Sequence, residues 1–195
     1  MIITALCGLV YLASSMDLSK FLYKSLPSVK EDENSLSLGS YQLQKQVVLP
    51  GIYNLSGVVY HPQRRSLFMV LNNPETLLEC DLDGNILQRF ELKNFHDTEG
   101  LCFDAEGNFT IVEERHQSLV TLTLPATGSV IDRRDASRIV ELALYPQDNT
   151  GFEGVSYSHK HQSFFVAKEK EPAAVFQLSN KPQSQSFRRL LNLQS

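Results

Sequence analysis

No run of lysine or arginine longer than a pair occurs in this 195-residue sequence; 18 basic residues are scattered among 22 acidic ones, for a net charge of -4. Without a basic footprint, nucleic acid is not an expected partner. Low-complexity tracts are absent too, and 42% of the residues are hydrophobic. That composition excludes a disordered chain and predicts one globular domain with a sizeable core. Cysteine is scarce and odd in number: Cys7, Cys80 and Cys102 form no CxxC or Cys/His metal spacing. Cys80 and Cys102 fall inside apolar, strand-like runs and read as buried free thiols, with a disulfide between them as the alternative in an oxidising compartment. GxSxG, HExxH, P-loop and dinucleotide signatures are missing as well, which removes the best-marked hydrolase and nucleotide-binding classes.

No apolar run reaches the roughly 20 residues of a membrane-spanning helix. The nearest is "IITALCGLVYLASS", the 14 residues 2–15, a length that suits the core of an export signal. No basic residue precedes it, so it reads as a clipped signal anchor whose start lies upstream. Leu6 before Cys7 argues against a lipoprotein box, and a buried core helix is the alternative reading. Residues 16–40 include "SLPSVKEDENSLSLGS", the composition of a solvated linker. The expectation is therefore an anchor at 1–15, a linker at 16–40, and a domain at 41–195 held at the cell membrane, in the periplasm or otherwise outside the cytoplasm.

What the sequence does contain is a repeat. "SGVVYHPQRRSLFMVLNNPETLLECDL", "EGLCFDAEGNFTIVEERHQSLVTLTL" and "EGVSYSHKHQSFFVAKEKEPAAVFQL" align on Gly57, Gly100 and Gly154, which stand 43 and 54 residues apart. Each copy reads as an inner strand, a turn, a second strand centred on Phe68, Phe109 or Phe164, a polar break and a third strand; "ILQRFEL", "RIVELAL" and "SFRRLLNL" supply fourth strands. Four short strands recurring at about 40–50 residues are the pattern of a β-propeller blade. A β-sandwich also uses many short strands, but nothing in a sandwich demands self-similarity at this spacing. The reading is an all-β fold, a propeller of four-stranded antiparallel blades at about 55–92, 97–144 and 151–193, preceded by an outer strand at 41–52. Three blades make an incomplete ring, because propellers normally have about four to eight.

The succession "LSGVVYHPQRRSLFMVLNNP", "DLDGNILQRFEL", "FHDTEGLCFDAEGNFTIVEERHQ" and "NTGFEGVSYSHKHQSFFVAKEKEP" resembles the bacterial SdiA-regulated family, which includes calcium-regulated β-propeller proteins distantly similar to NHL-repeat propellers. The resemblance covers residues 41 to 180. It implies a membrane-anchored or exported propeller, five-bladed in the family (six blades is the alternative count), with a bound calcium ion and no firmly assigned activity.

Inner strands line the channel of a propeller, so residues at one repeat position form a ring. The position before each repeat glycine holds Ser56, Glu99 and Glu153. These three are the expected metal ligands, since calcium takes about 6–8 oxygens in flexible geometry; glutamates capping backbone N–H groups of the next blade are the alternative. A second row lies where the second strands end: Asn72 and Asn73, Glu113 and Glu114, Lys168 and Glu169. Alternation lets only one of each pair face the channel, and Glu114 beside Arg115 and Glu169 beside lysines read as surface ion pairs. Two functions stand. One is a calcium-binding interaction or sensing module of the cell envelope, with a small molecule or envelope protein as partner. The other is a metal-assisted hydrolase of esters, lactones or phosphate esters with His96 or a glutamate as base. The sequence leaves catalytic residues, and whether the protein is an enzyme, undecided.

Overall fold

The computed structural model describes residues 41–125, 129–142, 151–170, 173–181 and 186–193. The anchor segment 1–15 and the linker 16–40 lie outside them, as do residues 143 and 144 of the expected fourth strand "RIVELAL". The described residues fall in two compact units, of which the second, beginning at Val47, holds all the strands.

Strands β1 (Leu55–His61), β2 (Ser66–Asn72), β3 (Glu75–Cys80) and β4 (Ile86–Lys93) form the first blade. The second contains β5 (Thr98–Phe103), β6 (Phe109–Glu113) and β7 (Ser118–Leu122); after a short strand β8 (Val130–Asp132) and one 3-10 turn at Arg133–Asp135, it is completed by β9 (Arg138–Glu141). The third is β10 (Phe152–Ser158), β11 (Ser163–Lys168), β12 (Ala173–Ser179) and β13 (Phe187–Leu193). Within each blade consecutive strands pair antiparallel. The fold is the β-propeller read from the repeat, with three four-stranded blades and no α-helix among the described residues. No helix there is long and apolar enough to cross a membrane.

Two features differ from the sequence reading. Residues 41–52, expected as an outer strand, form no strand. Leu49 and Ile52 instead pack on a cluster of Met69, Leu71, Leu78 and Cys80, one face of the first blade. Side-chain burial, which "YQLQKQVVLPGI" could satisfy at only a few positions, wins there over ladder pairing. The other difference is β8. It crosses from the second blade and adds parallel to β4 of the first, pairing Leu92 with Ile131, so that sheet has five strands. Three residues inside "GSVIDRRD" give no period for a sequence reading to detect.

Period-2 alternation decides which seam each strand fills. Phe68 and Val70 of β2 join Phe109 and Ile111 of β6 between the first two blades, whereas Met69 and Leu71 face the other way. Val112 and Leu119 turn to the second seam, where they meet Phe152, Phe164, Val166 and Phe176. Cys80 and Cys102 are buried and free, as expected, and burial foremost pushes the Cys102 thiol up to about 12.

Inner strands approach closely at Gly57 and Gly100. A Cβ on Gly57 would lie 2.8 Å from the Glu99 carbonyl oxygen, and one on Gly100 would lie 3.0 Å from Gly154 Cα. Absence of a side chain is thus a packing requirement. Just before each glycine the ladder slips: Leu55 pairs with Leu71 but Gly57 with Val70, Phe152 with Lys168 but Gly154 with Ala167, and β5 is irregular between Thr98 and Leu101. A bulge of this kind re-aims the extra residue out of the pleat. The extra residues here are Ser56, Glu99 and Glu153.

Candidate metal centre

The bulges turn Glu99 and Glu153 toward the preceding blade, at the end of the inner strands where each second strand finishes. Asn72, which ends β2, donates through Nδ2 to Glu99 Oε1 at 2.9 Å. One blade on, Glu114 follows the end of β6, and its carboxyl group shares a hydrogen bond with Glu153. The two rows seen in the sequence are therefore one arrangement, in which each exit residue meets the bulge residue of the next blade.

Asp97 is the third participant. Its backbone takes the left-handed conformation (φ 55°), which aspartate tolerates better than most residues. Its carbonyl accepts from Glu114 N–H at 2.9 Å, and its carboxylate is held by Arg115 Nε, also at 2.9 Å. Carboxylate oxygens of Asp97, Glu99 and Glu114 all lie within 4.8 Å of one another. Two oxygens on opposite sides of one calcium ion stand about 4.8 Å apart, twice a bond of roughly 2.4 Å. All-oxygen donors without cysteine or histidine suit a hard divalent cation. The residues present fit calcium.

Electrostatics mark the same place. Glu114 is only 2% exposed, and its carboxyl group is pushed up to about 7, foremost by burial and then by the charges of Glu153, Asp97 and Glu99. Glu153 is raised too, again first by burial, then by Glu99 and Glu169. Raised values at converging carboxylates are what a proton or a metal ion would relieve.

Of the three sequence-predicted ligands, the structure brings Glu99 into this cluster and sets Glu153 beside it, against Glu114, but leaves out Ser56, whose hydroxyl donates to the Asn54 carbonyl at 3.5 Å. Asp97, just before β5, and Glu114, read from the sequence as a surface partner of Arg115, belong to the cluster; Arg115 pairs with Asp97 instead. A signal was available: Asn54, Asp97 and Gly151 share the position three before the repeat glycine, and Asn72, Glu114 and Glu169 share the exit position. Glu169 does make the expected exposed pair with Lys170, at 2.9 Å. Glu113 points away from the cluster, as alternation requires. Fully buried, it accepts from Ser118 Oγ at 2.5 Å, from Arg133 Nε at 2.8 Å and from the His96 N–H at 3.0 Å. Its role is to hold the chain after β8 onto the second blade.

The chain is similar in structure to a catalytically inactive virginiamycin B lyase from Staphylococcus aureus crystallised with quinupristin (13% identity, TM-score 0.51, covering 77% of this chain and 46% of that one). The selenomethionine-substituted lyase from the same organism matches at 14% identity and TM-score 0.50, covering 75% and 44%. The Cps50 (Swd1) β-propeller domain of Myceliophteria thermophila matches at 12% and 0.44, covering 71% and 39%. The chain spans less than half the length of these structures, and at such identities the likeness is one of fold. In sequence, residues 33–194 match the model of the SdiA-regulated family.

Proposed function

Because the chain belongs to the SdiA-regulated family, we propose that it is a propeller-type binding module that takes up one calcium ion at Asp97, Glu99, Glu114 and Glu153 and works in the cell envelope, tethered through residues 1–15, as an interaction or sensing component. The observation that carries this reading is the convergence of Asp97, Glu99 and Glu114 of the second blade, with Glu153 of the third set against the buried Glu114. Such a site costs electrostatic free energy when empty and ionised. Bound calcium would neutralise it and tie two blades together, supplying structure rather than bond-breaking.

Isothermal titration with Ca²⁺ tests this. One binding event is expected in the unaltered protein. Glu99→Gln combined with Glu153→Gln should weaken it at least tenfold, about 1.4 kcal/mol, and Ser56→Ala should leave it unchanged. Equal affinity in the double variant would sink the proposal. Membrane fractionation of the full chain, with and without residues 1–15, tests the tether.

His96 favours a second reading, metal-assisted hydrolysis of an ester, lactone or phosphate ester, since its imidazole borders the same cleft as Asp97. An ester and phosphate-ester screen with and without chelator separates the two, because chelator-sensitive turnover belongs only to the hydrolase.

A further inference from the structure

Beside the carboxylate cluster, the seam between the first and second blades opens into a cleft of about 530 Å³ lined by Asn54, Asn72, Asn73, Glu75, His96, Asp97, Arg115 and His116. Its volume is in the range of small-molecule sites, about 300–1,000 Å³. We infer that this cleft binds a neutral, hydroxyl-rich small molecule, a sugar or a related polyol, at a site that borders the cation site through Asp97.

Each wall narrows the ligand. All eight lining residues are polar, so no apolar or aromatic ligand would recover its desolvation there. Asp97 and Arg115 neutralise each other at 2.9 Å, which leaves the Glu75 carboxylate, and further carboxylates stand behind Asp97. Two acidic side chains against one guanidinium leave the wall net negative, and an anion would be repelled.

A neutral ligand is then selected by hydrogen bonding. Asn54 uses Nδ2 on the Asn73 carbonyl at 2.9 Å, and Asn72 uses Nδ2 on Glu99. Neither bond engages the amide oxygens, which remain acceptors, and each NH₂ group has a second hydrogen. Alternating donors and acceptors match vicinal hydroxyls, each of which is both. The imidazoles of His96 and His116 meet edge to face, centroids 4.9 Å apart, and His96 is exposed. Such a ring face suits the C–H side of a pyranose.

The cleft is also built rather than incidental. Asn54 and Asp97, on opposite blades, both hold left-handed backbones with φ of 54° and 55°, a conformation that costs a non-glycine residue free energy and clusters at binding sites. Glu75 Oε1 accepts the Asp97 N–H at 3.3 Å, and the His116 Nδ1 lies 3.7 Å from the buried Glu113.

The test is a titration of the full chain with D-galactose, D-mannose, N-acetyl-D-glucosamine and myo-inositol, with inorganic phosphate and benzoate as anionic and apolar contrasts, followed through the His96 and His116 imidazole resonances. At least one neutral probe is expected to shift both rings, in EDTA as well as in calcium, because Asn54, Asn73, His96 and His116 are not among the proposed calcium ligands. His96→Ala with Asn73→Ala should weaken that probe about tenfold or more, with calcium affinity unchanged and a melt confirming that the variant is folded. No shift with any neutral probe, preference for phosphate or benzoate, binding only in calcium, or undiminished binding in the folded variant would each overturn the assignment.

Discussion

Replacing Glu114 by glutamine is expected to raise the melting temperature of the metal-free protein at pH 8 and to abolish its stabilisation by calcium. The folded protein holds this carboxyl group at about 7 instead of the ordinary 4.5, so the folded state binds the proton more tightly than the unfolded chain does. Stability from this group is fully present below about 4.5 and is lost as pH rises through 7. The distance from 4.5 to about 7 bounds the size at about 3 kcal/mol. For a protein of this size that is roughly 6–12 °C. Glu114 is almost wholly buried, so solvent screening removes little of it. Glutamine is neutral at every pH and its NH₂ can donate to Glu153 as the protonated acid does, so the slope between pH 5 and 8 should flatten. In the unaltered protein, calcium at about 100 times its dissociation constant should restore about 2.7 kcal/mol at pH 8. Differential scanning at pH 5, 6.5 and 8, with EDTA or calcium, reads all of this; an unaltered slope in the variant would refute the role given to Glu114.

The second large effect is expected at a residue with no side chain. On Gly151 a Cβ would overlap the Glu114 carbonyl oxygen and lie 2.7 Å from the carbonyl carbon, an approach that only backbone movement can relieve. Gly151→Ala should therefore cost about 3 kcal/mol or more. It should also weaken calcium binding, because Gly151 N–H donates to Glu114 Oε1 at 3.3 Å and fixes that carboxyl group. Gly154→Ala is the control: its Cβ would meet nothing nearer than 3.9 Å, the Ala167 methyl, and the change should be nearly neutral. Urea unfolding of both variants decides the matter. Comparable midpoints would show that the blades yield at this junction.

The blades were legible because similar strand–turn–strand runs recur behind Gly57, Gly100 and Gly154, a pattern that few other folds would write. Glu99 and Glu153 were legible for a related reason, since a repeat position implies a spatial ring. Asp97 and Glu114 were not. Their places depend on a bulge and a left-handed residue, which shift side chains by one step without leaving a compositional mark. Ser56 occupies the ring position in sequence, yet its short side chain satisfies itself on Asn54. Strand β8 depends on a long-range partner, β4, and three residues cannot announce that. Residues 41–52 show the converse, since strand-like spacing there gives way to packing of Leu49 and Ile52.

The parallel addition of β8 to β4 makes the two seams mechanically unequal. The first and second blades share backbone bonds, among them Glu91 N–H to the Ser129 carbonyl at 2.7 Å, and cannot part without unzipping a ladder. Between the second and third blades, the described contacts are side-chain packing and side-chain bonds, among them Arg138–Asn180, Gly151–Glu114 and Glu114–Glu153. Thermal breathing should open that second seam first, and it is where Glu114 meets Glu153. A cation seated there would act as a rivet, placed at the joint where the described residues share no backbone ladder.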